Sequence, residues 1–250
     1  MWIAGDTHVG QKRHNNQDVF LAEELDAKLL LLMVCDGMGG EQGGAEASEL
    51  ALEAATAMLR RDLKGVTDES TMRRVMECAG AAANSVVFDA AQANSALAGM
   101  GTTLVGAVVL PNCAHFIHAG DSRAYLLRND VLTQLTVDHT VVQVLIDRGE
   151  ISQDDAKNHP QRHYITRAVG VAPQINYDIF SIDLLPNDTI LLCSDGLYNY
   201  MSHEDICALT AIAVKRQSVA PLINRANENG GGDNITAVVC CVAGEVGAHG

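Results

Sequence analysis

Five aspartates raise the first chemical question. Asp36 and Asp195 each end an apolar run and each precede a glycine, in residues 29–40 (LLLLMVCDGMGG) and 189–197 (TILLCSDGL). A carboxylate at the end of a buried strand, with Gly37 or Gly196 beside it where backbone can approach a ligand closely, suits a hard cation with oxygen ligands. Asp18 closes the polar run His14-Asn15-Asn16-Gln17-Asp18, Asp121 lies in Gly120-Asp121-Ser122-Arg123, and Asp233 stands just before the last apolar run. Taken singly, Asp18 reads as a turn cap, Asp121 as an Asx-turn residue and Arg13 as a solvated charge. Asp138-His139 occupies the ordinary place of a helix cap, and local pattern leaves Asp121 and Asp138 undecided. His115 and His118 are three apart on a strand, which sends them to opposite faces and counts against a metal pair.

Elements of three kinds must position these groups. Seven unbroken apolar residues before Asp36 predict a strand buried on both faces, a second apolar strand is expected before Asp195, and ITAVVCCV reads as the last strand. A short strand is expected at 2–7 and another from Val19, next to the Asp36 strand because sequential strands usually pair. From Gly44 the apolar spacing becomes helical (Ala47, Leu50, Ala51, Ala54, Ala55, Met58, Leu59), and a second helix over about 71–94 carries an alanine-rich stripe that implies close packing on the first. Residues 101–136 read as strands joined by short turns, with 114–128 as one stretch that bends near Asp121, and short connections predict antiparallel hairpins. The stretch 140–170 is irregular, with helical pieces at 141–148 and 154–158. A strand at 174–184 and helices opening at Ser202-x-x-Asp205 and near Ser218 complete the order.

Composition narrows the classes. With 17 basic against 31 acidic residues the net charge is −14, which opposes a nucleic-acid backbone or an anionic membrane surface. The N-terminus MWIAGDTHVGQKR lacks a signal-peptide pattern and no segment reaches about 18 apolar residues, so a cytoplasmic protein is expected. Seven cysteines without C-x-x-C spacing, several inside apolar strands, read as reduced core residues. No low-complexity linker divides the 250 residues, so 1–250 is expected to be one domain.

In order, the segments Gly10-x-x-Arg13-x-x-Asn16-x-Asp18, Val34-x-Asp36-Gly37-Met38-Gly39-Gly40, Gly101-Thr102-Thr103, Gly120-Asp121-Ser122-Arg123, Asp138-His139, Thr166-Arg167-Ala168-x-Gly170, Ser194-Asp195-Gly196-Leu197 and Asp233-Asn234-Ile235-Thr236 span essentially the whole chain. Together they resemble the type 2C metal-dependent serine/threonine protein phosphatases in their bacterial form. The resemblance implies an α+β fold, a four-layer α-β-β-α sandwich of two antiparallel sheets flanked by helix pairs. It implies that Asp36, Asp195 and Asp233 hold two divalent ions, Mn2+ or Mg2+, with the Gly37 carbonyl and Asp18 adding ligands directly or through water. By the same resemblance Arg13 holds the substrate phosphate, Asp121 joins Asp195 in a weaker third metal site, and residues 145–165 form a flap. Arg13, Asp36, Asp195 and Asp233 are then the catalytic set. The expected partners are phosphoprotein substrates and a cognate serine/threonine kinase, with no nucleic acid or membrane, for a protein acting as a monomer. In one place the chain departs from the family: Glu41 stands where bacterial relatives commonly carry histidine after Gly-Met-Gly-Gly.

Elementary chemistry supports the transfer. An all-oxygen ligand set without paired His or Cys selects magnesium or manganese over zinc or copper. Two such ions can lower the pKa of a water and stabilise charge on phosphorus during in-line attack, so the protein need supply no nucleophile. Consistently, the chain has no G-x-S-x-G and no Walker ending after its glycine-rich loop. A phosphoprotein-binding module without catalysis should have lost carboxylates, and a metal nuclease should carry a basic track. A manganese assay on a phosphopeptide and a plasmid-cleavage assay separate these two classes from the phosphatase. Glu41 has two readings, a solvated acid before a helix or a glutamic acid that protonates the leaving oxygen.

Overall fold

A computed structural model describes residues 1–66 and 68–242, apart from the side chain of Glu41. The last eight positions of the expected 1–250 domain, and the two readings of Glu41, therefore lie outside the described residues. The chain opens with β1 (Trp2–His8), β2 (Asp18–Asp26) and β3 (Leu29–Met38), then the long helices α1 (Gly40–Asp62) and α2 (Glu69–Ala93). Next come β4 (Gly101–Thr102), β5 (Leu104–Val109), β6 (Cys113–Ala119), β7 (Arg123–Arg128) and β8 (Val131–Gln134). The short helices α3 (Val141–Asp147) and α4 (Gln153–Lys157) lead to β9 (Asp178–Asp183) and β10 (Thr189–Cys193). The chain closes with α5 (Asp195–Tyr198), α6 (His203–Arg216), α7 (Ala220–Glu228) and β11 (Ile235–Cys241).

One sheet runs β1-β11-β10-β7-β8 and the other β2-β3-β5-β6-β9, with β4 also on β3, and the pairings are antiparallel. Alternation along the central strands feeds different cores. In β3, Leu31, Met33 and Cys35 pack under α1 and α2 against Ala47, Ala51, Ala55, Met76 and Ala83. Leu30, Leu32 and Val34 face the other sheet and meet the cluster of Phe116, Ile190, Leu192, Val238 and Cys240. On the far side, Leu191, Cys193, Ala237 and Val239 pack against Ile206, Ala213, Leu222 and Ala226 of α6 and α7. Three apolar layers thus separate a helix pair, two sheets and a second helix pair, the expected α+β four-layer sandwich. Strands buried on both faces have no polar alternate positions, which is why they read as unbroken apolar runs. The alanine stripes let the helices approach closely, as the spacing predicts.

Two expectations are corrected. Helix α1 begins at Gly40, not near Gly44. The glycines there serve close packing: a Cβ on Gly37 would overlap the Gly44 carbonyl oxygen, and one on Gly44 would come 2.9 Å from the Gly37 carbonyl carbon. The first turn of α1 can lie against the end of β3 only while both side chains are missing. The second correction concerns 114–128, which is two strands in different sheets. Gly120, at φ 114, turns the chain out of β6, and after Ser122 it enters β7 across the sandwich. The β5–β6 and β7–β8 connections are hairpins as expected, the latter turning through Asn129 and Asp130 at positive φ.

Candidate active site

The sheet pairing gathers the aspartates at one end of the sandwich. Asp18 and Asp36 are direct cross-strand partners in β2 and β3. Asp195 opens α5 at the end of β10, Asp233 precedes the neighbouring β11, and Asp121 lies in the crossing from β6 to β7, which pairs with β10. A cleft of about 830 Å³ opens there. Its lining includes Asp36, Gly37, Asp121, Asp195 and Asp233, with Arg13 on one side and His163, Tyr164 and Ile165 on another. Asp18 is buried beside Asp36 and does not line the cleft.

Hydroxyls and amides hold these groups. Asp18 Oδ2 accepts from Ser194 Oγ at 2.6 Å and Thr236 Oγ1 at 2.7 Å, and the Thr236 N–H donates to Ser194 Oγ. The Asp36 N–H donates to Thr103 Oγ1 at 2.9 Å, while its carbonyl accepts from Thr102 Oγ1 and the Thr103 N–H. Asn199 Nδ2 donates to Asp195 Oδ2 from one helical turn on. Asn234 knits the 9–17 loop to the end of β11: its Oδ1 accepts from the Gln17 N–H and its Nδ2 donates to the carbonyls of Val9 and Asn15. Gly10 opens that loop at φ 84, where a Cβ would overlap the Asp233 carbonyl oxygen, so the first motif and the last are pressed together.

Charge is concentrated and poorly compensated. Among the described residues Arg13 is the only cation ion-paired to any of the five aspartates, through Nη2 to Asp233 Oδ2 at 2.8 Å. Burial pushes the Asp18 carboxyl up to about 6, against the hydrogen bonds of Ser194 and Thr236 that favour its charged form. Asp121 is pushed up to about 6 by burial and by Asp138. Burial, then the neighbouring carboxylates, hold Asp36 and Asp195 well above the usual range. Among the described residues Asp18 Oδ1 is buried without a hydrogen-bond donor, and the neighbouring Asp36 carboxyl is the group that interacts with it, an expensive arrangement for a carboxylate that stays charged. An oxygen-only set, crowded enough to repel and with one oxygen orphaned, fits hard divalent cations and leaves soft or nitrogen-preferring metals poorly served.

A second polar group lies apart from the floor of the cleft. Among the described residues, His118, His139 and Asp178 are the trio of His, Cys, Asp or Glu that brings three ligand atoms within 4.8 Å of one another. No three of the described aspartates of the cleft bring ligand atoms that close to one another. Asp138 goes elsewhere: it receives both Nε and Nη2 of Arg123, and the α3 cap is Thr140, whose Oγ1 accepts from the Gln143 N–H. His115 and His118 do fall on different sides of β6, His118 wholly buried and His115 at the margin. Sequence reasoning gave no role to Ser194, Thr236, Thr103 and Asn199. For Ser194, Thr236 and Asn199 the signal was adjacency, since each lies inside an aspartate-bearing motif or within a few residues of one, whereas Thr103 sits in a motif without an aspartate.

Comparison with known proteins adds an independent line. The sequence profile of the family described as protein phosphatase 2C matches residues 4–239. A serine/threonine phosphatase, stp, of Listeria innocua is 37% identical over 243 residues, covering 93% of this chain and 92% of its own. The serine/threonine protein phosphatase PstP of Mycobacterium tuberculosis is 39% identical over 233 residues, 93% of this chain and 43% of that longer protein. The crystal structure of the M. tuberculosis phosphatase PstP/Ppp superposes with a TM-score of 0.84 at 36% identity, covering 96% of this chain and 98% of that one. The PstP catalytic domain solved with two manganese ions gives 0.80 at 35% identity, covering 95% and 96%.

Proposed function

The chain belongs to the protein phosphatase 2C family, and on that premise we propose how its cleft removes phosphate from phosphoserine and phosphothreonine in proteins. Asp36, Asp195 and Asp233 hold a pair of divalent ions, Mn2+ or Mg2+, with the Gly37 carbonyl and Asp18 adding ligands directly or through water. Asp121 with Asp195 makes a weaker third site. What such a pair supplies when bound is Lewis acidity, which makes water a nucleophile at neutral pH and stabilises charge gathering on the phosphoryl oxygens. Ser194 and Thr236 fix Asp18 by one oxygen and leave Oδ1 directed away from them, and Thr103 fixes the backbone of Asp36. Arg13 is half exposed at the cleft and anchored by one nitrogen to Asp233, and with no other partner among the described residues its remaining N–H groups can orient a phosphate monoester. Residues 145–165 act as a flap whose last part, His163, Tyr164 and Ile165, walls the cleft and contacts the protein substrate.

The observation that carries this reading is the convergence of four aspartates from both sheets on one cleft, with a fifth, Asp18, buried beside Asp36. The wider assignment is one catalytic domain over 1–250, acting as a cytoplasmic monomer that reverses a cognate serine/threonine kinase. Among the described residues no helix is long and apolar enough to cross a membrane. The test is phosphate release from phosphoserine and phosphothreonine peptides after exhaustive chelation, then with graded Mn2+ or Mg2+. Activity should disappear and return, with at least two ions bound by calorimetry. Full activity in verified metal-free protein overturns the reading.

A further inference from the structure

The His118, His139 and Asp178 trio has the ligand types of a transition-metal site, but its hydrogen bonds give it another task. His139 Nδ1 accepts from the Gly120 N–H at 3.0 Å, and its Nε2 lies 3.0 Å from Asp178 Oδ2. A neutral imidazole has one lone pair on its ring nitrogens, and the Gly120 N–H uses it. The proton must then sit on Nε2, where Asp178 accepts it, and neither nitrogen is left for a metal. Arg167 Nη1, 2.7 Å from Asp178 Oδ1, adds a positive charge that opposes a cation and favours the carboxylate as acceptor. His118 stacks on the His139 ring with centroids 4.7 Å apart. Burial drives the His118 pKa down to about 3, so it packs as a neutral plate beside His139.

What His139 grips is the turn that carries Asp121. Besides the ring contact, the His139 N–H donates to the Gly120 carbonyl at 2.8 Å, so Gly120 is held by both its backbone groups. Tyr198 Oη donates to the Asp121 carbonyl at 3.0 Å, and Ser122 Oγ bonds Thr103 Oγ1 at 2.8 Å, the same oxygen that receives the Asp36 N–H. The turn is therefore pinned at three successive residues while the Asp121 carboxyl faces the cleft. We infer that His139 is a positioning residue for Asp121: as the Nε2-protonated tautomer it receives the Gly120 N–H, donates to Asp178, and fixes the turn so that Asp121 is preset for a cation. This rests on the proposed metal role of Asp121 and goes beyond it by naming what sets its position.

Mn2+ binding to metal-stripped protein, measured by calorimetry, tests it with Asp121→Asn, His139→Ala, His139→Asn and the Asp121→Asn/His139→Ala double variant. Asp121→Asn should weaken the weakest Mn2+ step. His139→Ala should weaken the same step about tenfold, as loss of an outer partner of a metal ligand does. Asparagine can place its amide oxygen near the position of Nδ1, so His139→Asn should recover most of that loss although it cannot reach Asp178. In the Asp121→Asn background His139→Ala should add nothing, whereas a merely structural histidine would stay additive. Independently of any metal, 15N spectra of the imidazole should show His139 protonated on Nε2 and bare on Nδ1. If Asp121→Asn weakens binding and His139→Ala does not, the inference fails and the metal role of Asp121 survives. If Asp121→Asn changes no Mn2+ step, the metal role fails and takes the inference with it. A proton on Nδ1, or a Zn2+ ion bound in a His118- and His139-dependent manner, also overturns it.

Discussion

Asp18→Asn removes charge from the acidic floor while keeping its shape. In the metal-free protein burial carries the Asp18 carboxyl from 3.8 to about 6. A carboxyl whose pKa rises on folding gives its full contribution to stability below about pH 3.8 and loses it as pH climbs through about 6. Chelated wild-type protein should therefore weaken between pH 4 and pH 7. A pKa displacement of about 2 corresponds to about 3 kcal/mol, or about 6–12 °C in Tm for a chain of this size. The asparagine Oδ1 can still accept from Ser194 and Thr236, and its Nδ2 takes the place of the orphaned Oδ1. Scanning calorimetry in chelator should find the variant several degrees above wild type at pH 7.5, with the gap closing toward pH 4. Added Mn2+ should reverse the order, because wild type gains more from a ligand that binds only the folded state. A chelated variant that melts below wild type at pH 7.5, or a gap constant with pH, refutes the claim that Asp18 sits in uncompensated negative charge.

Arg13→Ala should raise KM more than it lowers kcat, with kcat/KM down about 10- to 150-fold, the range for losing hydrogen bonds to a charged group. An unchanged KM on phosphopeptides would remove Arg13 from phosphate binding. Gly37→Ala should lower Tm by at least about 3 °C even without metal, since overpacking costs about 1–3 kcal/mol and the new methyl would overlap the Gly44 carbonyl oxygen. An unchanged melt would show that α1 can retreat from β3 at no cost. If Glu41 protonates the leaving oxygen, Glu41→Gln should slow phosphothreonine peptide hydrolysis far more than p-nitrophenyl phosphate hydrolysis, because nitrophenolate leaves without a proton. Equal effects on both substrates assign Glu41 to the solvated surface.

What could be read from sequence followed burial. Strands β3, β10 and β11 are apolar on both faces, so their runs were unambiguous, and the stripes of α1 and α2 named most of their core positions, although Val86, which falls in the α2 stripe, is exposed. The start of α1 was hidden because Gly43 and Gly44 look like loop residues, although they give the helix its close approach to β3 and to Met100. The crossing at Gly120–Ser122 was hidden for another reason: local turn grammar says that a strand ends, not which sheet receives the next one. At the site, Asp36, Asp121, Asp195, Asp233 and Arg13 line the cleft and Asp18 is buried beside Asp36, whereas Asp138 pairs with Arg123. The Asp18 cradle was illegible because Ser194 and Thr236 come from strand ends some 176 and 218 residues away, brought together by the β10–β11 pairing alone.

The central claim is that these carboxylates make phosphate hydrolysis metal-dependent. It is tested most directly by phosphate release from a phosphothreonine peptide across a Mn2+ titration, comparing wild type with Asp36→Asn under conditions where circular dichroism shows both folded. Wild type should be silent in chelator and rise with Mn2+, and Asp36→Asn should remain about a thousandfold slower at every concentration, the equivalent of about 4 kcal/mol of lost transition-state stabilisation. Asp36→Asn turning over at the wild-type rate, or wild type turning over fully without metal, would contradict the account.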